Sequence, residues 1–501
     1  MSTKKRPSGG ARAGSDDNRA DSGPSIEDSL AELWAVIESI GEAPSPQAPA
    51  RTVLDAEVQV AGMLALPALN RSSRAATESY VSALIAQAAR MRPRSSAAAF
   101  YRVLMTLGSP NVRKMASGAL RELTSAGVYP PGWVTEIGKP APGEAWRRRD
   151  AFGDDEVVVV TFSYPEGGGD ASRHAVLVMV DRTVLPTAVT VGISPDPDAL
   201  VESVKAEPVS LADARQLIEG PLARAAQAGR WGLSPSSATF LPVARSHVRR
   251  LPAEGATEIV TYGAADRAAA VEAFLASPYA ADAGEQDIAR FWAQALTGYS
   301  GRISTEPPAQ VGPRKLPAML GHVASTFTLA GERQAGMGPA VLAWTRWAAG
   351  HQGLDEAATE QVLAAAARAT EEFGAAYDNP AAVVARAYVS DLATGDADVT
   401  ALAEAVTRRS VAVPFPDSAD GQAGMDVADP AARAEMVAQE FARCELDEGQ
   451  TREDLINGAT RVVEELWAGE PARAWDTART LVAEGRTRHD AIHALVSRES
   501  A

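Results

Sequence analysis

The chain has 501 residues, 46% of them hydrophobic, and a formal net charge of −16 from 48 basic and 64 acidic side chains. That length suffices for two or three domains with cores of their own, while the acidic balance disfavours a long phosphate backbone, so nucleic acid is not an expected partner. The one cysteine, Cys444, excludes an intramolecular disulfide and a thiolate-rich metal cluster; with no apolar run near about 18 residues and no signal-like start, the expectation is a cytoplasmic protein without membrane contact.

Residues 1–24, rich in Ser, Gly, Lys, Arg and Asp, have almost nothing to bury and are expected to be disordered. Over 25–40 the sequence SIEDSLAELWAVIESI sets Leu30, Leu33, Trp34, Ile37 and Ile40 on one stripe, with Ser25 and Asp28 as its onset, and a Gly/Pro-rich linker follows at 41–50. Such a stripe either docks on the chain's own domain or enters a partner's groove, and these five apolar residues are the candidate partner-binding set. A membrane surface does not suit it, because Glu27, Asp28, Glu32 and Glu38 occupy the polar face. Residues 51–129 read as a helical domain, whose last helix runs from Ser109 and Pro110 to just before Gly127. Arg90, Arg92, Arg94, Arg102, Arg113 and Lys114 make this stretch basic. No nucleic-acid motif accompanies them, so they read as solvated surface.

Between 130 and 260 the period changes. GVYPPGWVTEIGKPAPGEAWRRRD reads as a connector, stopped by Pro130 and Pro131. The β-branched runs DDEVVVVTFSY, RHAVLVMVD and PTAVTVGIS, with links too short for crossovers, predict a small antiparallel sheet at about 156–195 with flanking helices. YPEGGGD reads as a hairpin loop, since a phosphate cradle would lead into a helix and this loop leads into a strand. His174 and Asp181 are the candidate catalytic residues, although a spacing of seven puts them on opposite faces of a regular strand. RWGLSPSSATFLPVARSHVRRLPAE reads as irregular and basic, with Arg245, Arg249 and Arg250 as candidate anion-binding residues. There is no G-x-S-x-G elbow, P-loop, Rossmann glycine set or H-E-x-x-H.

Residues 261–408 read as a helical domain, in which the Gly/Pro-rich segment 298–317 is suited to bridging subdomains or covering a cleft. Its clearest helix, 354–377, lines Val362, Ala366, Ala369, Phe373 and Tyr377 on one face. A linker at 409–430 leads to a C-terminal helical module, 431–501. There His489 and His493, four apart on one helix face, could share an ion such as zinc, with Glu464 as a candidate third ligand. Two imidazoles fall short of the roughly three protein ligands zinc commonly takes. No metal or cofactor is therefore expected, and packing is the competing use of the pair.

The stretch EPARAWDTARTLVAEGRTRHDAIHAL resembles the C-terminal helical modules of a family of uncharacterised, hypothetical bacterial proteins, in which a Pro-x-x-x-Trp-x-x-Ala helix precedes an Arg-His-Asp/Glu-x-x-His helix. The likeness covers about 50 residues. In that family the preceding helix commonly carries histidines too, which implies a shared polar or metal-binding seam; this chain has Asn457, Thr460 and Arg461 instead. The Ala-rich, Arg-over-Lys composition and the upstream sequence resemble actinobacterial hypothetical proteins, and no activity follows from the likeness. The expected fold is mainly α with a small antiparallel β-sheet (α+β), helical in its N-terminal and C-terminal parts. The expected function is protein–protein interaction or regulation, with a protein partner or a homo-oligomer. The alternatives are an enzyme whose site assembles between sheet and helices, and a metal-binding helical protein using the C-terminal histidine pair.

Overall fold

The structure, a computed structural model, describes residues 26–40, 51–69, 74–91, 94–164, 172–228, 233–300, 305–389, 392, 399–414, 426–442, 444, 446, 451–483 and 486–499. The expected disordered tail 1–24, the linker 41–50, the loop YPEGGGD from residue 165 onward and the middle of the linker 409–430, residues 415–425, lie outside them.

The elements run α1 (Ile26–Ser39), α2 (Val53–Leu69), α3 (Arg74–Arg90), α4 (Arg94–Leu107), α5 (Pro110–Ser125), β1 (Ala141–Arg149), β2 (Asp155–Ser163), β3 (His174–Asp181), β4 (Thr187–Ser194), α6 (Pro197–Val204), β5 (Glu207–Val209), α7 (Leu211–Ala228) and α8 (Pro235–Val248). The rest is helical: α9 (Ala264–Leu275), α10 (Gln286–Ser300), α11 (Lys315–Thr326), α12 (Gly331–Ala335), α13 (Met337–Gln352), α14 (Glu356–Tyr377), α15 (Pro380–Val389), α16 (Val399–Ala412), α17 (Pro430–Phe441), α18 (Arg452–Ala468), α19 (Ala472–Ala483) and α20 (Arg488–Glu499). The fold is thus mainly α-helical with one small antiparallel sheet of order β4-β3-β2-β1-β5. Among the described residues no helix is long and apolar enough to cross a membrane.

Two compact units divide the chain. Unit 1 is assembled from Met1–Pro142, Phe162–His174 and Pro235–Arg250, so that α8 packs with the N-terminal helices, chiefly α2. In α1 the predicted stripe is a core face: Leu30 and Leu33 are fully buried, Trp34 and Ile37 nearly so, and Ile40 partly, among α2, α3 and α4. Trp34 meets Phe100 edge-on at 6.1 Å. The candidate partner-binding set is therefore corrected: docking within the unit uses up the apolar face that a partner's groove would need.

Unit 2 comprises Gly143–Thr161, Ala175–Ser234 and Leu251–Ala501. One of its cores gathers Phe274, Trp292, Trp344 and Phe373 from α9, α10, α13 and α14, with Trp292 Nε1 donating to the Arg333 carbonyl at 2.9 Å. Another closes α15 to α20 around Tyr388, Phe441 and Trp467, with the buried Arg409 and Arg433 guanidinium carbons 4.6 and 4.5 Å from the Trp467 ring centroid.

The three predicted strands are β2, β3 and β4, and two elements differ from the expected structure. The supposed connector carries β1, which pairs antiparallel with β5 at Ala145↔Val209, Trp146↔Pro208 and Arg147↔Glu207. Its β character is hidden from a hydrophobic pattern because Arg147 and Arg149 are held by carboxylates instead of by apolar burial. The segment expected to be irregular is the helix α8, whose Val243, Ala244, His247 and Val248 form a buried face despite Pro242 in its interior.

Candidate functional site

In unit 2 a cleft of about 720 Å³ opens beside the β1–β2 turn, within the roughly 300–1,000 Å³ typical of small-molecule sites. The turn, Arg149 to Gly153, forms one wall, the α9 face with Asp266, Ala269 and Ala273 another, and Pro307 to Gln310 with His351 and Gln352 the rest. The Gly/Pro-rich segment expected to cover a cleft thus supplies part of this one. Gly153 sits at φ +74°, and a Cβ there would lie 2.0 Å from Gln310 Nε2, so the turn tolerates only glycine. Two amides hold it: Gln310 Nε2 donates to the Phe152 carbonyl at 2.7 Å and Gln352 Nε2 to the same oxygen at 3.1 Å, while Gln352 Oε1 accepts from Val311 N at 3.0 Å.

Behind the turn lies a buried ion network. Glu156 accepts from Arg147 Nε at 2.5 Å and Arg182 Nη1 at 3.0 Å; Glu306 accepts from Arg182 Nε at 3.0 Å and Lys315 Nζ at 2.5 Å, and Arg149 Nη2 stands 3.7 Å from it. Asp154 caps α11, accepting from Arg314 N at 2.9 Å and Lys315 N at 3.3 Å; burial raises its pKa above the ordinary carboxylate value. Arg182 and Arg147 on one side and Glu306 and Glu156 on the other act on Arg149, whose own pKa is lowered by burial and then by Arg182. The arginine lines the cleft together with Asp150 and Asp266.

The candidate His174 lies in unit 1, in a sealed polar cluster. Its Nδ1 faces the Ser172 carbonyl at 3.2 Å, which makes Nδ1 the donor and leaves Nε2 to accept from His247 Nε2 at 3.1 Å. Tyr164 donates to Glu57 Oε2 at 2.6 Å, Gly138 N donates to Glu57 Oε1 at 2.7 Å, and His247 Nε2 stands 3.8 Å from Oε2. All four side chains are 0–2% exposed. Burial raises Glu57 to about 7 against the bonds from Tyr164 and Gly138, and lowers His174 to about 4. His247 is also lowered, by burial and then by His174. The cluster orders the core of unit 1 and offers no route to a substrate. Asp181, in unit 2, accepts from Thr183 N at 2.8 Å and pairs with Arg314. Neither residue holds the base-and-orienter geometry considered for it.

Of the anion-binding candidates, Arg245 and Arg249 line a recess of about 330 Å³ in unit 1, together with Arg113. Arg250 does not line it and is exposed. At the C-terminus, Glu464 is taken by Arg433, at 2.7 and 2.5 Å, so it is no third ligand for the histidines. His489 and His493 lie with ring centroids 6.5 Å apart. The His489 ring stacks on Phe441 at 4.4 Å; its Nδ1 meets Glu440 Oε1 at 3.2 Å and its Nε2 meets Cys444 Sγ at 3.3 Å. Among the described residues no group of three or more His, Cys, Asp or Glu is placed to hold a metal ion.

Sequence reasoning missed the cleft because its polar residues come from four separate segments, and missed Cys444 as the neighbour of His489 because 45 positions separate them. The signals that could have found them were the paired glutamines and the arginine run Arg147 to Arg149. No family model, no curated protein and no solved structure matches the chain.

Proposed function

We propose that the chain is a regulatory protein that senses a small molecule in the unit 2 cleft, the ligand carrying an anionic group toward Arg149 and an apolar body over Ala269, Ala273, Pro308 and Ala309. The observation that carries this reading is Arg149 itself: a partly buried guanidinium, 3.7 Å from Glu306, on the wall of a ligand-sized cleft. A carboxylate entering there would form a charge-assisted bond.

The test is ligand-detected NMR with a panel of small aromatic and aliphatic carboxylates, comparing the native chain with Ala269→Trp and Arg149→Gln. Ala269 is exposed on α9, so an indole there fills the cleft without entering the core. Binding by the native chain that disappears in Ala269→Trp and weakens about tenfold in Arg149→Gln is the expected result. Equal binding by all three proteins, or none by the native chain, would overturn the reading.

One observation favours a second reading, thiol chemistry at the C-terminus. Glu440 fixes the His489 tautomer with Nδ1 protonated, so Nε2 faces Cys444 Sγ as an acceptor, the order nucleophile, base, orienter. Arg488 pairs with the same carboxylate and holds it in place. Cys444 is the single cysteine of the chain, so alkylation by iodoacetamide reports on it alone. His489→Gln is expected to slow that alkylation at neutral pH by at least about tenfold; an unchanged rate sinks this reading.

A further inference from the structure

The recess in unit 1 is independent of the unit 2 cleft and has a chemistry of its own. Arg245 sits in the last turn of α8 and Arg249 just past its end, and Arg113 from α5 joins them around a cavity of about 330 Å³. No carboxylate lines this cavity, and none of the three arginines has a carboxylate partner among the described residues. Arg245 is held below the ordinary arginine pKa, first by burial and then by Arg249 and Arg113.

Two further features converge there. The start of α5, capped by Ser109 Oγ accepting from Val112 N at 3.4 Å, points the positive end of a 16-residue helix into the recess. Ser246, on the same face of α8, is 8% exposed, lines the cavity, and its hydroxyl makes no hydrogen bond among the described residues. A nearly buried donor without an acceptor, beside three cations without anions, is the complement of a multiply charged oxyanion.

We propose that this recess binds the dianionic phosphate group of a small phosphorylated molecule, with Arg113, Arg245 and Arg249 neutralising its charge and Ser246 donating to one of its oxygens. A continuous phosphate backbone fits less well. The cations converge on one cavity instead of tracking along a surface, and the chain as a whole carries −16.

The test is isothermal titration of the full chain with inorganic phosphate and with glycerol 2-phosphate, against glycerol and sodium chloride at matched ionic strength. Saturable binding of both phosphates, or of inorganic phosphate alone, supports the site, and the pair tells a phosphomonoester from the free ion. Arg245→Gln is expected to weaken binding about tenfold or more, Ser246→Ala a few-fold, and Arg250→Gln, outside the recess, by less than about twofold. Ser246→Ala, which removes one hydroxyl, keeps the test decisive should Arg245→Gln fail to fold. Binding no stronger than chloride, or equal affinity in Ser246→Ala, Arg245→Gln and Arg250→Gln, would overturn the proposal. The Ala269→Trp change in unit 2 leaves this titration untouched, so the two sites succeed or fail separately.

Discussion

Glu306→Gln is expected to destabilise unit 2 by about 3–5 kcal/mol, the cost of stripping one partner from a buried ion pair. Glu306 is 2% exposed and Lys315 1%, and the carboxylate is the shared acceptor of Arg182 and Lys315 with Arg149 close by. A glutamine leaves those cations desolvated with only Glu156 and Asp154 to offset them. The measure is native-state hydrogen exchange of the slowest amides in β2 and α11, which reports the opening of this unit without assuming a two-state chain. Arg314→Gln is the contrast: Arg314 pairs with Asp155 and Asp181 with its side chain 49% exposed, so its loss should cost no more than about 1 kcal/mol. Equal effects in the two variants would show that the Glu306 network is not a buried ionic core.

The second large effect is a pH dependence in unit 1. Burial raises Glu57 from 4.5 to about 7, so the folded unit keeps a proton that the unfolded chain has already released, and the stability tied to that proton is lost as pH rises from about 4.5 to 7. His174, lowered to about 4, and His247, lowered in the same direction, work oppositely: the unfolded chain binds protons that the folded unit refuses, and stability is lost as pH falls below 6.5. Glu57→Gln removes the first slope and keeps the second. Relative to the native chain, the variant should gain about 3 kcal/mol between pH 4.5 and 7, followed by hydrogen exchange of α2 and α8 amides across that range. A fixed cost of the amide would displace the difference without tilting it. A flat difference would show that Glu57 does not hold its proton.

The helices whose apolar faces recur at helical spacing, such as α1 and α14, were legible in the sequence, and so were β2, β3 and β4 from their β-branched runs. What the α1 stripe could not say was where it docks, because Leu30 and Trp34 have the same pattern on a neighbouring helix as in a partner's groove. β1 escaped because arginines stand where apolar residues were sought, and α8 because two prolines and its arginines resemble a loop. The sites were less legible than the fold. Arg245 and Arg249 were visible as a cluster, but Arg113, 132 positions before Arg245, joins them only where the fold sets the start of α5 on the same cavity. His174 was visible as a lone imidazole, yet its partner His247 lies 73 residues away.

Unit 1 draws its last helix from Pro235–Arg250, long after its first segment ends at Pro142. At a synthesis rate of roughly 5–20 residues per second, α1 to α5 leave the ribosome on the order of 5–20 s before α8 can join them. Throughout that interval the side of α2 that α8 will cover has no partner from α8. The arrival of α8 completes the core that buries Glu57 and sets His247 3.8 Å from it, so the completion of this half of the protein is tied to the uptake of a proton as well as to the burial of apolar surface.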